Sequence, residues 1–307
     1  MMGSPIDVLR ERVVTATTGL FAHARYPLED TLRHRGDAGL CGPESISWSV
    51  LGDTSAFVGG VRALLVQAAH PEVAAGVADH SRYQDDPLGR LSRTSAYVTA
   101  TTFGAMPEVE QAVAIVRRAH RPIHGESHRG VPYSADAPAL AAWVHNVLTD
   151  SFLQAYRDFG PGRLTPEEED RFVAEQARIG RLLEADPLPE SAGELRGWIV
   201  GHPALDTSPG LREAVAFLRS PPLPRSVKAG YVVMANAAAA TIPADLRHLL
   251  GMTPPPGSVV AGRALVGFLR WALGSSPSWH LALLRAGAPV PAHRFRQPLP
   301  VTVTGDP

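Results

Sequence analysis

The sequence predicts an all-α fold, and three observations carry that expectation. Ala, Leu, Arg and Val recur throughout the 307 residues, while runs of alternating β-branched residues are nearly absent. Proline and glycine fall where helices would begin and end. Between them, apolar side chains repeat at helical spacing.

The elements follow in order. Phe57 to Val66 is an apolar helix interrupted by Gly59-Gly60. Each glycine costs about 1 kcal/mol against alanine, so the pair marks close approach of something flat or of another helix. Asp86-Pro87 supplies a cap and a first-turn proline for a helix from Leu88 to Phe103, closed by Gly104. Pro107 opens a helix to about Ile123, ended by Gly125. Asp136 and Pro138 start a long helix through Trp143, Val147 and Phe152 to Gly160. Thr165-Pro166-Glu167-Glu168 is a capping box, which makes Arg171 to Leu183 helical. Ser191 and Glu194 repeat the box before Leu195 to Val200, and Ser208-Pro209 opens Leu211 to Leu218. Leu211, Val215 and Leu218 form one apolar stripe, and Leu265, Phe268 and Leu269 with Trp271 another, so both are expected to face the core. The Pro-rich segments 221–225, 253–257 and 286–300 read as loops or a tail.

Composition narrows the function classes. A net charge of −1 and the absence of a Lys/Arg block leave no electrostatic footprint for nucleic acid. Cys41 is the only cysteine, so neither a disulfide nor a CxxC metal or redox motif can form within the chain, and an ordinary buried or loop thiol outweighs a haem-thiolate role. The first residues lack the continuous apolar run of a signal peptide, and the longest apolar stretch, Tyr231 to Ile242, is too short to span a bilayer. A cytoplasmic location without a transmembrane segment is the expectation; oligomeric state is left open. Residues 1–45 read as an N-terminal arm, 46–185 as a dense core and 186–307 as a C-terminal helical part packed on it, together one domain.

The helix from Pro107 carries the first candidate chemistry. Val109, Val113, Val116 and His120 fall at i, i+4, i+7 and i+11, so His120 ends an apolar stripe. A neutral imidazole in an apolar cavity suits a haem iron; a core-edge histidine bonded to a carbonyl is the plainer reading of the spacing. Upstream, Arg90 and Thr94 share a helix face with Arg93 beside them, a pattern that suits a bound anion or simply a solvated face. Two further polar clusters are Gln67, His70, Asp79, His80 and Asp85, and Trp143, His145, Asn146 and Thr149. His124 follows His120 by four residues, the spacing of a zinc or non-haem iron pair on one helix face, with Glu126 or Asp79 as a carboxylate partner.

In order along the chain stand Trp48 with Gly52-Asp53, Gly59-Gly60-Val61-Arg62 through Gln67, and His70-Pro71-Glu72-Val73-Ala74-Ala75-Gly76-Val77. His80-Ser81 and Asp86-Pro87-Leu88-Gly89-Arg90-Leu91-Ser92-Arg93-Thr94 follow, then Val116-Arg117-Arg118-Ala119-His120, Tyr133-Ser134-Ala135, Trp143-Val144-His145 and Glu175. Over residues 46–180 this resembles the oxygenase family that includes latex-clearing rubber oxygenases and the mycophenolic-acid pathway oxygenase. The resemblance implies a globin-like helical core holding haem b, with His120 as the iron's proximal ligand, Arg90 and Thr94 lining the pocket, and Arg93, also assigned to cofactor binding, standing where the rubber oxygenases have a basic residue. It further implies O2 as co-substrate and oxidation or cleavage of a hydrophobic unsaturated small molecule. The distal acid of the rubber oxygenases is not matched: Ala74 and Ala75 stand in that region, which leaves His70, Glu72 and His80 as distal candidates. A non-catalytic haem- or lipid-like-ligand-binding protein, and a non-haem metalloenzyme using His120 and His124, are the alternatives.

Overall fold

The computed structural model describes residues 4–301, and among them are fourteen α-helices and one short β-hairpin. In chain order these are α1 (Pro5–Gly19), α2 (Ile46–Leu51), α3 (Ala56–Gln67), α4 (Pro71–His80), α5 (Pro87–Phe103), α6 (Met106–His120), β1 (His124–Glu126), β2 (Pro132–Ser134), α7 (Pro138–Phe159) and α8 (Pro166–Leu182). There follow α9 (Ala192–Val200), α10 (Pro209–Arg219), α11 (Arg225–Ala240), α12 (Ala244–Leu249), α13 (Ser258–Leu273) and α14 (Pro277–Ala286). No described helix is long and apolar enough to cross a membrane.

Local chemistry sets most helix starts. Asp86, Thr165, Ser191 and Ser208 each accept a backbone N–H of the first turn, which satisfies a donor that the helix itself leaves orphaned. Proline stands in the first turn of each helix from α4 to α8, where its missing N–H costs nothing. Thr165 and Glu168 form the expected reciprocal box.

The 22-residue α7 is the axis of the molecule. α3 packs along it, α8 and α9 flank it, and α11 covers the other side of α3 while pairing with α13. Gly59 explains the intimacy of α3 and α7: a Cβ there would sit 2.7 Å from Phe152 Cδ1 and 3.1 Å from Ser151 O. Close helix approach is therefore what this glycine serves, whereas Gly60 faces open space. The fully buried Trp48 and Trp143 anchor the core, each donating its indole N–H to a carbonyl, Thr102 O at 2.7 Å and Gln67 O at 3.1 Å. Arg62 reaches into the same interior and is matched by Asp150 Oδ2 at 2.7 Å and Ser151 Oγ at 2.8 Å. The largest apolar cluster joins Trp48, Leu65, Trp143 and Phe172 to Leu195, Leu211, Ile242 and Trp279. It thus draws on both the 46–185 and 186–307 stretches, and on that ground we propose that they fold as one unit.

Three expectations are corrected. The helix ending in His120 stops there rather than near Ile123: the turn Arg121-Pro122 follows, and His124 opens β1. His120 and His124 therefore do not share a helix face. The stripe Leu265, Phe268, Leu269 is not the core face of α13, because Gly262, Val266 and Leu273 are buried instead while Phe268 stays exposed. Gly262 decides that orientation, since its missing Cβ lets α13 close on Ala237 and Phe159. Finally, Ala137 rather than Asp136 occupies the cap position of α7 and makes no side-chain bond there, which leaves the Asp136 carboxylate free of the helix.

Candidate functional site

Helices α5 and α6 are joined by Gly104-Ala105 alone and pack against each other. Arg90 and His120 each stand roughly 20 Å along their own helix from that joint. Arg90, Thr94, Tyr97 and Thr101 fall at i, i+4, i+7 and i+11, the same spacing as the α6 stripe, so each helix presents one continuous face.

The α6 face is graded. Val109 and Val113 are buried, Val116 and His120 half-buried. Burial lowers the pKa of His120, and the Asp136 carboxylate pulls the other way. The imidazole is accordingly neutral at pH 7, with a lone pair to offer. On α5, the Arg90 guanidinium donates to Ser81 Oγ at 2.8 Å and lies over the Tyr83 ring at 5.7 Å. Burial presses its pKa below the ordinary arginine value, yet no carboxylate lies in ion-pair range of it among the described residues. A half-buried guanidinium without a counter-charge suits an incoming anion. Arg93 is exposed and committed to Asp86 at 3.2 Å, and Thr94 is exposed on the Arg90 face. The Tyr97 hydroxyl, which sequence reasoning did not single out, is buried with no hydrogen-bond partner.

The segment after His120 is strapped across α4. The hairpin pairs His124 with Ser134 and Glu126 with Pro132. Its Tyr133 donates to Asp79 Oδ2 at 2.6 Å, and His80 Nε2 meets the His124 carbonyl at 3.2 Å. Burial, reinforced by that Asp79 bond, pushes the Tyr133 phenol up to about 12. Gly76 leaves room for the Tyr133 ring. At the far end of α4, Arg129 from the hairpin loop grips the buried Glu72 with Nη2 at 2.7 Å and Nε at 3.2 Å, and Ser127 Oγ donates to it at 2.8 Å.

The three distal candidates therefore have different standing. Burial alone would raise the Glu72 pKa, but the Arg129 and Ser127 bonds outweigh it and hold the carboxyl below its usual range. His70 is packed between Trp143 and His202, its Nδ1 is 3.2 Å from Glu72 without a well-formed hydrogen bond, and burial takes it down to about 4. His80 alone is exposed. Asp85 is also exposed, apart from this group. Of the second cluster, His145 is buried against Gly180 with Nε2 unpartnered, and burial lowers it to about 4. Asn146 donates to Pro187 O and Thr149 to His145 O, so this cluster serves packing. Glu175 accepts the Ile46 and Ser47 N–H groups and fixes the start of α2. Burial pushes the Cys41 thiol up to about 12, which keeps it protonated and a poor thiolate ligand.

The fold and this site define an all-α protein with a neutral histidine at the end of the α6 stripe and, on α5, a guanidinium that meets no carboxylate among the described residues. The family model described as ER-bound oxygenase mpaB/B'/rubber oxygenase, catalytic domain, matches residues 48–271, and the chain belongs to that family of oxygenase domains. The match extends beyond the motif-bearing stretch through α9 to α13. No curated protein and no solved structure gives a match.

Proposed function

We propose that the chain is a haem b-dependent oxygenase that uses O2 to oxidise or cleave a hydrophobic unsaturated small molecule, with His120 as the iron's protein ligand and a globin-like arrangement around the haem. The observation that carries the reading is the neutral, half-buried His120 at the end of the apolar α6 stripe in a chain of this oxygenase family. The donor set fits the group: one imidazole for the metal, one half-buried guanidinium for a propionate, and an apolar stripe of Val109, Val113 and Val116 leading to His120. Haem, when bound, supplies the iron chemistry that activates O2.

The chain's own residues supply the surroundings. Burial keeps His120 unprotonated at neutral pH, so its lone pair is available without a proton having to leave. Arg90 provides a fixed positive charge with its fork held by Ser81. The buried Val109 and Val113 and the half-buried Val116 give the His120 end of α6 apolar surroundings. Glu72 is held ionised by Arg129 and Ser127 and is not placed to move a proton on substrate, whereas His80 is the distal candidate open to solvent.

The same engaged Glu72 favours a second reading, a haem- or lipid-like-ligand-binding protein without turnover. The non-haem metal reading loses its geometric footing. His124 leaves the helix, Asp79 is taken by Tyr133, and no group of three or more His, Cys, Asp or Glu gathers as a metal site among the described residues. The test is an absorption spectrum of protein expressed with iron and haem precursor, followed by O2-uptake measurements across a panel of alkenes. A Soret band with alkene-dependent O2 uptake supports the oxygenase. A Soret band without uptake supports the binding protein. A colourless protein refutes both haem readings.

A further inference from the structure

Helices α11 and α13 pack antiparallel, as their contacts show: Gly230 lies beside Leu265, and Gly262 beside Ala237. α3 and α7 take up their inner faces and α1 lies against both, with Arg10 over the Trp271 ring at 4.9 Å; what stays open is the surface around Val232, Val260 and Phe268. Val260 is 68% exposed, Val232 42% and Phe268 41%, among the most exposed large apolar side chains of the described residues. On α13 the small residues Ala264 and Gly267 fill the space between Val260 and Phe268, so the apolar stripe has low relief.

Charge is distributed just as unevenly. Between Arg219 and Ser275 stand six Arg or Lys residues and a single acid, Asp245, in a chain whose net charge is −1. Two of the cations are paired, Arg270 with Asp53 and Arg263 more loosely with Asp158. Arg219, Arg225, Lys228 and Arg247 meet no carboxylate among the described residues. Arg225, Lys228 and Val232 share one face of α11, at i, i+3 and i+7. At the other end of the surface, next to Val260, an open groove of about 480 Å³ is lined by Arg247, His248, Met252 and Thr253. None of these residues belongs to α4, α5, α6 or the β-hairpin.

We propose that the outer face of α11, α12 and α13 docks on an anionic lipid bilayer. Exposed Val and Phe flanked by unpaired Arg and Lys is the pattern of a surface that inserts shallowly among headgroups while its cations meet their phosphates. The α11–α13 stretch is complementary to such a surface, with one acid among its own residues, while the neighbouring α1 sets Asp7 and Glu11 against Arg10 and Arg12. A folded protein partner would call for a buried core of aromatic anchors, and of the two rings on this stripe Trp271 is already covered by Arg10, which leaves Phe268 as the exposed one.

The experiment is co-sedimentation of the full chain with sucrose-loaded vesicles of phosphatidylcholine alone or with about 30% phosphatidylglycerol. Wild type is expected to sediment with the mixed vesicles and to partition poorly onto phosphatidylcholine, with binding that falls in high salt. Arg225→Ala with Lys228→Ala lowers partitioning by about tenfold or more. Val260→Asp with Phe268→Asp lowers it as far, and because both side chains are exposed the variant keeps its helical circular dichroism and urea midpoint. Equal binding to both vesicle types, no binding at all, or either variant binding like wild type overturns the proposal. So does a variant that changes only the monomer–dimer ratio in sedimentation velocity, which would assign the face to a second copy of the chain.

Discussion

Gly59 and Gly60 are neighbours on α3 with opposite surroundings, and substituting each by alanine separates helix propensity from packing. Alanine at either position gains roughly 0.5–1 kcal/mol through reduced chain entropy and better helix propensity. At Gly60 nothing lies within 4 Å of the new Cβ, so that gain stands alone. At Gly59 the Cβ meets Phe152 Cδ1 at 2.7 Å, Phe152 Cα at 3.1 Å and Ser151 O at 3.1 Å. Two of these neighbours are backbone atoms of α7, which cannot rotate away, so α3 and α7 must part. Overpacking of this kind costs about 1–3 kcal/mol. Because the propensity gain is common to both variants, their difference isolates that cost. Gly60→Ala is expected to be more stable than wild type, and Gly59→Ala less stable than Gly60→Ala by about 1–3 kcal/mol. Urea denaturation followed by circular dichroism reads this as two midpoints displaced from each other with unchanged slopes. If Gly59→Ala proves as stable as Gly60→Ala, the α3–α7 contact is not as close as described and the role given to Gly59 fails.

The other expectations rest on single groups. Arg129→Ala leaves the buried Glu72 carboxylate with Ser127 as its remaining side-chain donor and costs about 2–3 kcal/mol, while Arg129→Ala combined with Glu72→Gln recovers part of it; urea midpoints that do not separate the two would sink the buried-pair account. His145 has a folded pKa depressed to about 4, so its stabilising share is fully present above the unfolded histidine value and is lost as pH falls from about 6.5 toward 4. The loss is on the order of 3 kcal/mol, and a His145→Gln variant with an unchanged acid slope between pH 7 and 4 would contradict it. Tyr97→Phe removes a buried hydroxyl that has no partner, so the variant is expected to match or exceed wild-type stability by up to about 1 kcal/mol; a clear loss would mean that the hydroxyl is bonded after all.

Helix starts were legible because their causes are local. Thr165 and Glu168, Asp86 and Pro87, and Ser208 and Pro209 sit within one turn of one another, so caps and first-turn prolines can be read directly from adjacent residues. The same locality placed His120 and Arg90 at the ends of their stripes. What depended on distant partners was not legible. Glu72 and Arg129 are 57 residues apart, and nothing in either neighbourhood announces that a hairpin loop would close on α4. The end of α6 was misplaced because Pro122 is compatible with a helical or a turning chain, and only the hairpin bonds from Tyr133 and His80 to and from α4 decide for the turn. The inner face of α13 was misassigned because hydrophobic size pointed to Phe268, whereas the close fit of Gly262 on Ala237 and Phe159 determined which side faces inward. Tyr97 carried no signal beyond its position seven residues after Arg90, which becomes informative only once its hydroxyl is seen without a partner.

The central claim is that His120 is the iron ligand of a bound haem, and a pyridine haemochrome assay with absorption spectra of wild type and His120→Ala tests it most directly. The account predicts haem b in the wild type, and a Soret band that is lost or displaced in the variant while circular dichroism shows the helices intact. A wild type free of haem, or a variant whose spectrum is indistinguishable from it, would contradict the assignment.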